Sequence, residues 1–251
     1  MSASWLIGSI EDSASMGVTI AASAQTIAAG SYYLHGPSNA LSLLYQFQQA
    51  MTAAGVGSAA AYLTEAGYVR ITGGSNFTVT WTNTTLRDLL GFTGNLSAAS
   101  SYVAPNHSKL WWSAGYDVTP DTPYGVESMP MPDTAITTSR DGSQVLFTTN
   151  NTQQHQKFSW DVVSIDRVWT SAEAGGEYKA WWDTVGRAGL RWYLWPDVDE
   201  DSGSTTQATL SGPLGPYKLR RIDPTWYNRQ IPGVDQLSEI EIDAIVVSEY
   251  A

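Results

Sequence analysis

Alternating side chains constrain this chain more than any other feature. In residues 76–82, NFTVTWT, Phe77, Val79 and Trp81 fall on one face and the threonines on the other. The same period of two recurs in KFSWDVVSI, with Phe158, Trp160 and Val162 in phase. It recurs again in LRWYLWP, where Leu190, Trp192 and Leu194 oppose Arg191, Tyr193 and Trp195. Successive side chains of a strand point to opposite faces, so this spacing belongs to sheets with a buried side. GVTIAA, SYYLHG, GYVRIT, SQVLFTT, YKLRRID and SEIEIDAIVV add further β-branched and aromatic runs between Gly, Ser, Asn and Pro turns. Charged residues are only 15% of the chain. That is well below the usual share of about a quarter, and it suits short strands and polar turns better than long solvated helices.

The period changes in three places. After Asn39, a candidate N-cap, Ala40, Leu44, Phe47, Met51 and Ala54 recur at helical spacing, and Gly55 ends the stripe. Gly73-Gly74, between GYVRIT and NFTVTWT, predicts a tight hairpin turn. In NTTLRDLLGFTGN, residues 83–95, Thr85 with Asp88 reads as a capping box, and Leu86, Leu89 and Leu90 form the buried side. Gly91 supplies a left-handed stop. Two turns cannot stand alone, so this helix should lie on the sheet, with Phe92 folding back near Leu86 or Arg87 to fasten its end. Further on, Thr170 and Glu173 form a second capping box ahead of Ala174, Tyr178, Trp181 and Val185, with Gly186 at the close.

These elements predict an α+β module over residues 1–95, a sheet with one long and one short helix. A mainly β domain follows over residues 141–251, a sandwich or open barrel with one inserted helix. Residues 96–140 are rich in Ser, Pro and Asn, with PNHSKLWW, TPDTPYG and MPMPD in succession. They read as a connection or an arm that lies along a neighbour, because proline excludes helix interiors and central strands. Trp111 and Trp112 in this stretch are expected to be exposed anchors of an interface, the alternative being packing within the chain.

Composition narrows the function. The formal net charge of −11 repels phosphate, and no Lys/Arg stripe offsets it, so nucleic acid is not an expected direct ligand. There is no cysteine for a disulfide or thiolate site. The first residues, MSASWLIGSIEDS, lack the basic flank and apolar run of a signal peptide, and no stretch is apolar for long enough to span a membrane. His35, His107 and His155 lie far apart and in no ligand spacing. GPSNA comes nearest to a nucleophile elbow and lacks its second glycine. Asp197, Asp199, Glu200 and Asp201 could offer oxygen ligands to calcium, yet Gly203 is one place late for an EF-hand loop and Ala208 stands where its last ligand belongs. Asn76, Asn83, Asn95, Asn106 and Asn150 begin Asn-x-Ser/Thr triplets that follow from the composition. No catalytic residue, cofactor or metal is expected. Eleven Trp and thirteen Tyr favour sheet surfaces and subunit contacts, with a sugar-stacking platform as the alternative.

The run AAGSYYL…LSLLYQFQQAM…GYVRITGGSNFTVTWTNTTLRDLLGF resembles a module of viral structural proteins, over about residues 15–95. In that module a Gly-Tyr strand leads through a helix and a hairpin to a short helix ending Leu-Gly-Phe. The second half, with KFSWDVVSI, SAEAGGEYKAWWDTVGRAG and EIEIDAIV, is similar in order and pattern to tail and baseplate proteins of tailed bacteriophages. The resemblance implies a non-enzymatic virion component, made in the host cytoplasm, that forms a ring with copies of itself and touches other virion proteins. Tail or baseplate is the first expectation. A neck or tail-terminator protein, a capsid decoration or a carbohydrate-binding module for host glycans are the alternatives.

Overall fold

A computed structural model describes residues 2–13, 15–113, 127–138, 144–168, 178–199, 203–219, 226–229 and 237–248. The chain is mainly β, with two antiparallel sheets and few, short helices. In order come β1 (Ser2–Ser13), β2 (Met16–Ile20), β3 (Ser23–Ile27), β4 (Gly30–Tyr33), α1 (Leu43–Ala53), β5 (Ala60–Leu63), β6 (Val69–Trp81), α2 (Thr84–Leu89), β7 (Leu96–Val103) and β8 (Trp111–Ser113). Then follow β9 (Glu127–Thr138), β10 (Gln144–Ser164), α3 (Ile165–Val168), α4 (Tyr178–Trp181), β11 (Trp192–Asp199), β12 (Leu214–Leu219), β13 (Trp226–Arg229) and β14 (Leu237–Val246). The α4 helix runs on into a single wider turn, Trp182–Gly186.

The larger sheet has the order β4-β1-β11-β12-β14-β10-β9, with β8 also on β1 and β13 also on β14. The smaller one has the order β3-β2-β6-β5, with β7 also on β6. Sequence neighbours therefore part company: β1 pairs with β11, Leu6 opposite Leu194, while β2 turns away to join β6. One contiguous apolar cluster includes side chains from both sheets, among them Trp5, Val18, Val79, Trp160 and Trp192, together with Phe47 of α1.

The alternation is legible in burial. Along β6, Phe77, Val79 and Trp81 are buried and the threonines between them exposed. Strand β11 departs from it: Trp192, Tyr193, Leu194 and Trp195 are all buried, so both of its faces are covered. Trp181, Phe158 and Tyr217 lie against Trp192, whereas Tyr33 lies against Tyr193 and His35 against Trp195.

Several local expectations are corrected. The Gly73-Gly74 hairpin does not form, because β6 runs unbroken from Val69 to Trp81. The glycines let the turn after α1 approach the strand. A Cβ on Gly73 would stand 2.6 Å from a methyl of Val56, and Gly74 N–H donates to the Gly57 carbonyl at 2.6 Å. Asn39 opens a short 3-10 turn, and the N-cap of α1 is Ser42, whose hydroxyl accepts from Tyr45 N–H at 3.3 Å. The α2 cap is Asn83, not Thr85: its side-chain oxygen accepts from Leu86 N–H at 3.0 Å. Asp88 accordingly turns to Arg87, at 2.8 Å.

The end of α2 follows the expectation more closely. Gly91 has φ +84°, Gly91 N–H donates to Asp88 O and Phe92 N–H to Arg87 O, at 3.1 and 3.0 Å. Phe92 stacks on Trp81 at 5.4 Å between ring centroids, which fastens the helix to β6. The Thr170 and Glu173 capping box and Ala174 lie outside the described residues, while Tyr178, Trp181 and Val185 are buried as their spacing predicts. Among the described residues no helix is long and apolar enough to cross a membrane.

Candidate functional site

Trp111 and Trp112 are the first correction to the expected site. Both are 0% exposed, in β8, opposite Ile7 and Leu6 of β1. A strand throws neighbours to opposite faces, and here each face is covered. Trp111 meets Trp5 edge-to-face at 5.4 Å and stacks on His107 at 4.6 Å. Trp112 meets Trp160 and Tyr178 at 5.4 and 5.2 Å, and its indole N–H donates to the Arg167 carbonyl at 2.8 Å. These rings are core and cannot serve as exposed anchors. Their Pro/Ser/Asn-rich setting signals a connection, yet residues 96–140 contain three strands, β7, β8 and β9, and pairing with β1 makes Trp111–Ser113 one of them. The same holds for most of the tryptophans. Trp5, Trp160, Trp181, Trp192 and Trp195 are at most 1% exposed, which removes them from any sugar-stacking platform.

The segment that delivers β8 also forms one wall of an open cleft of about 440 Å³, lined by Arg87, Asp88, Phe92, Asn106, His107 and Lys109 among others. The wall is firmly held. Asn106 N–H donates to Gly91 O at 3.2 Å, the Ser108 hydroxyl donates to Leu89 O, and Ala104 N–H donates to Val69 O at 2.8 Å. His107 lies between Tyr68 and Trp111, with ring centroids at 3.9 and 4.6 Å, and its Nε2 is 3.0 Å from the Ala66 carbonyl oxygen. Arg87 is matched by Asp88. This cleft is polar and of mixed charge, and its imidazole is engaged in holding the wall.

A second, smaller recess of about 160 Å³ surrounds His35. It forms where residues 206–208, which precede β12 of the larger sheet, run beside β5 of the smaller one. Ala208 N–H donates to Leu63 O and Glu65 N–H to Thr206 O, both at 2.9 Å. The start of α1 supplies the opposite wall through Ser42, Leu44, Tyr45 and Gln48. Gln48 is fixed by Ala61 N–H, which donates to its side-chain oxygen at 3.3 Å. Burial lowers the His35 pKa from its ordinary value, which favours the neutral ring. Among the described residues no charged side chain lines this recess. The sequence offers His35 alone, because Tyr62 and Gln207 reach it only through the tertiary contact of β5 with residues 206–208.

The remaining sequence candidates do not converge. The side chains of His155, Asp197 and Asp199, and all of Glu200 and Asp201, lie outside the described part of the chain. Among the described residues no three His, Asp or Glu side chains come together as a metal site would need. Two of the Asn-x-Ser/Thr asparagines serve the backbone: Asn83 caps α2, and the Asn95 side chain accepts from Trp81 N–H at 3.1 Å.

One further feature stands apart from both clefts. Strand β10 pairs with β14 only from His155 onward. Among the described residues its first eleven, 144–154, pair with β9 alone, from Gln144 opposite Thr138 to Gln154 opposite Pro130, with an irregularity between Thr148 and Thr152. Among the described residues β9 makes its substantial contacts with β10 and with no other element. A two-stranded ribbon about 30 Å long, nine β9 residues at some 3.4 Å each, thus continues past the end of β14. No protein-family model, curated protein or solved structure matches this chain.

Proposed function

We propose that this chain is a structural, non-enzymatic component of a tailed-bacteriophage virion, in the tail or baseplate, where it forms a ring with copies of itself and contacts neighbouring virion proteins. The viral setting rests on the sequence resemblance. The assembly role is supported by one observation, the β9–β10 ribbon. An isolated two-stranded ribbon is marginally stable in water, so one that extends about 30 Å beyond its sheet gains from lying on a second surface. One face of such a ribbon, about 10 Å wide, offers on the order of 300 Å², a part of one partner's share of a standard interface. Pro130 and Pro132 lie in β9, the outer strand of the ribbon. A proline cannot donate to a further strand, which favours docking of a face over growth of the sheet edge. The two sheets are read as the layers of a sandwich-like body that carries this arm.

The test is the mass of the purified chain by sedimentation velocity, with negative-stain microscopy for rings. A companion variant removes residues 133–151 and joins Pro132 to Thr152 through an Asn-Gly turn. Assembly of the full chain and a monomeric variant are expected. A full chain that stays monomeric at micromolar concentration, or a shortened chain that assembles unchanged, refutes the arm.

A further inference from the structure

We infer that the His35 recess is a binding site for one uncharged sugar ring, or a polyol of similar size. Six polar residues line it beside the capping Ser42: His35, Asn39, Tyr45, Gln48, Tyr62 and Gln207. Among the described residues the phenol oxygens of Tyr45 and Tyr62 and the side-chain amides of Asn39 and Gln207 have no hydrogen-bond partner. Gln48 spends its oxygen on Ala61 N–H and keeps its NH₂ group as donor. Hydroxyls, amides and an imidazole both donate and accept, the pattern that a ring of hydroxyls requires. An anion would find no cation in this lining, and a cation no carboxylate.

Size and position agree with the chemistry. About 160 Å³ holds several waters or one ring-sized guest, too little for an oligosaccharide to enter whole. The site lies at a junction between two sheets, where pockets are commonly built. Leu44, Leu63 and Leu210 supply an apolar side against which the C–H face of a sugar can rest. Trp195, edge-on to His35 at 5.8 Å, provides an intrinsic fluorescence reporter.

The inference is independent of the assembly role and is tested separately. The full chain is titrated with glucose, galactose, mannose and N-acetylglucosamine, with glucuronate and glucose 6-phosphate as charged counterparts. Saturation-transfer NMR and tryptophan fluorescence are the readouts. At least one neutral sugar is expected to saturate a single site and to bind more tightly than the charged pair. Tyr62→Phe and Gln207→Ala each remove hydrogen-bonding capacity and are expected to weaken binding by about two- to tenfold, at unchanged melting temperature. Should Tyr62→Phe disturb the fold, exposed Gln207 decides the matter alone. Binding of the methyl glycoside would assign the site to the end of a glycan, and its exclusion to a free sugar. The idea fails if no neutral sugar binds at about 100 mM, well above a millimolar Kd, or if a charged counterpart is preferred. It also fails if both variants bind like the parent.

Discussion

Two short stretches of residues 96–140, alike in their Pro/Ser/Asn-rich setting, end in opposite situations. Strand β8, three residues long, has every side chain buried and sits against β1. Strand β9, twelve residues long, meets β10 and little else among the described residues. The difference teaches that neither length nor strand propensity decides whether a strand becomes core. The aromatic pair of β8 finds partners on both faces, Trp5 and His107 for one ring, Trp160 and Tyr178 for the other. The two prolines of β9 confine it to an edge.

The sharpest way to break this contrast is Trp111→Ala. A large buried ring removed from a packed junction costs about 3–5 kcal/mol, or roughly 10–15 °C in melting temperature for a chain of this size. A loss below about 1 kcal/mol in thermal unfolding would return Trp111 to the surface. Next comes Gly91→Ala, which acts on the segment that leads into β8. Its φ of +84° and the overlap of a Cβ with the Asn106 carbonyl predict a loss of about 2–3 kcal/mol. The same substitution at Gly94, which has open space around it, is the control and should cost far less.

A smaller effect is expected from pH. His35 has its folded pKa lowered by burial, so the unfolded chain binds the proton more readily. Stability from this group is full above its ordinary value, about 6.5, and is lost as pH falls through 6.5 toward the folded value. His35→Gln should flatten that limb in denaturant titrations between pH 7 and 5; an unchanged slope would remove His35 as its cause. The smallest effect belongs to the ribbon. Removing residues 133–151 should leave the melting temperature of the dilute chain within a degree or two, since among the described residues β9 meets little besides β10. A large drop would place the ribbon within the stability of the body and erase the contrast with β8.

The cap of α2 shows how far local signals reach. Gly91 and Phe92 were legible because a left-handed stop and its fold-back contact lie within three residues of the helix end. The choice of Asn83 over Thr85 was not, since adjacent polar residues compete for one N–H and the winner depends on how the chain leaves β6. The Gly73-Gly74 pair failed for a different reason: glycine marks close approach as well as turns, and the approaching group, Val56, comes from another element. The His35 recess was invisible for the same cause, its walls being drawn from residues 35–48, 61–63 and 207–210.

By itself the sequence determined the period of two, and with it a mainly β chain whose Phe77, Val79, Trp81, Phe158 and Trp160 face inward. It determined the amphipathic stripe of α1 and the stop after α2 as well, since each depends on residues within a turn or two. Tertiary structure alone decided that β1 leaves its neighbours for β11, that Trp111 and Trp112 are core, and that β10 outruns β14 beside β9. Those outcomes turn on which distant surfaces meet. Burial is a sum over partners from the whole chain, and no local window contains them.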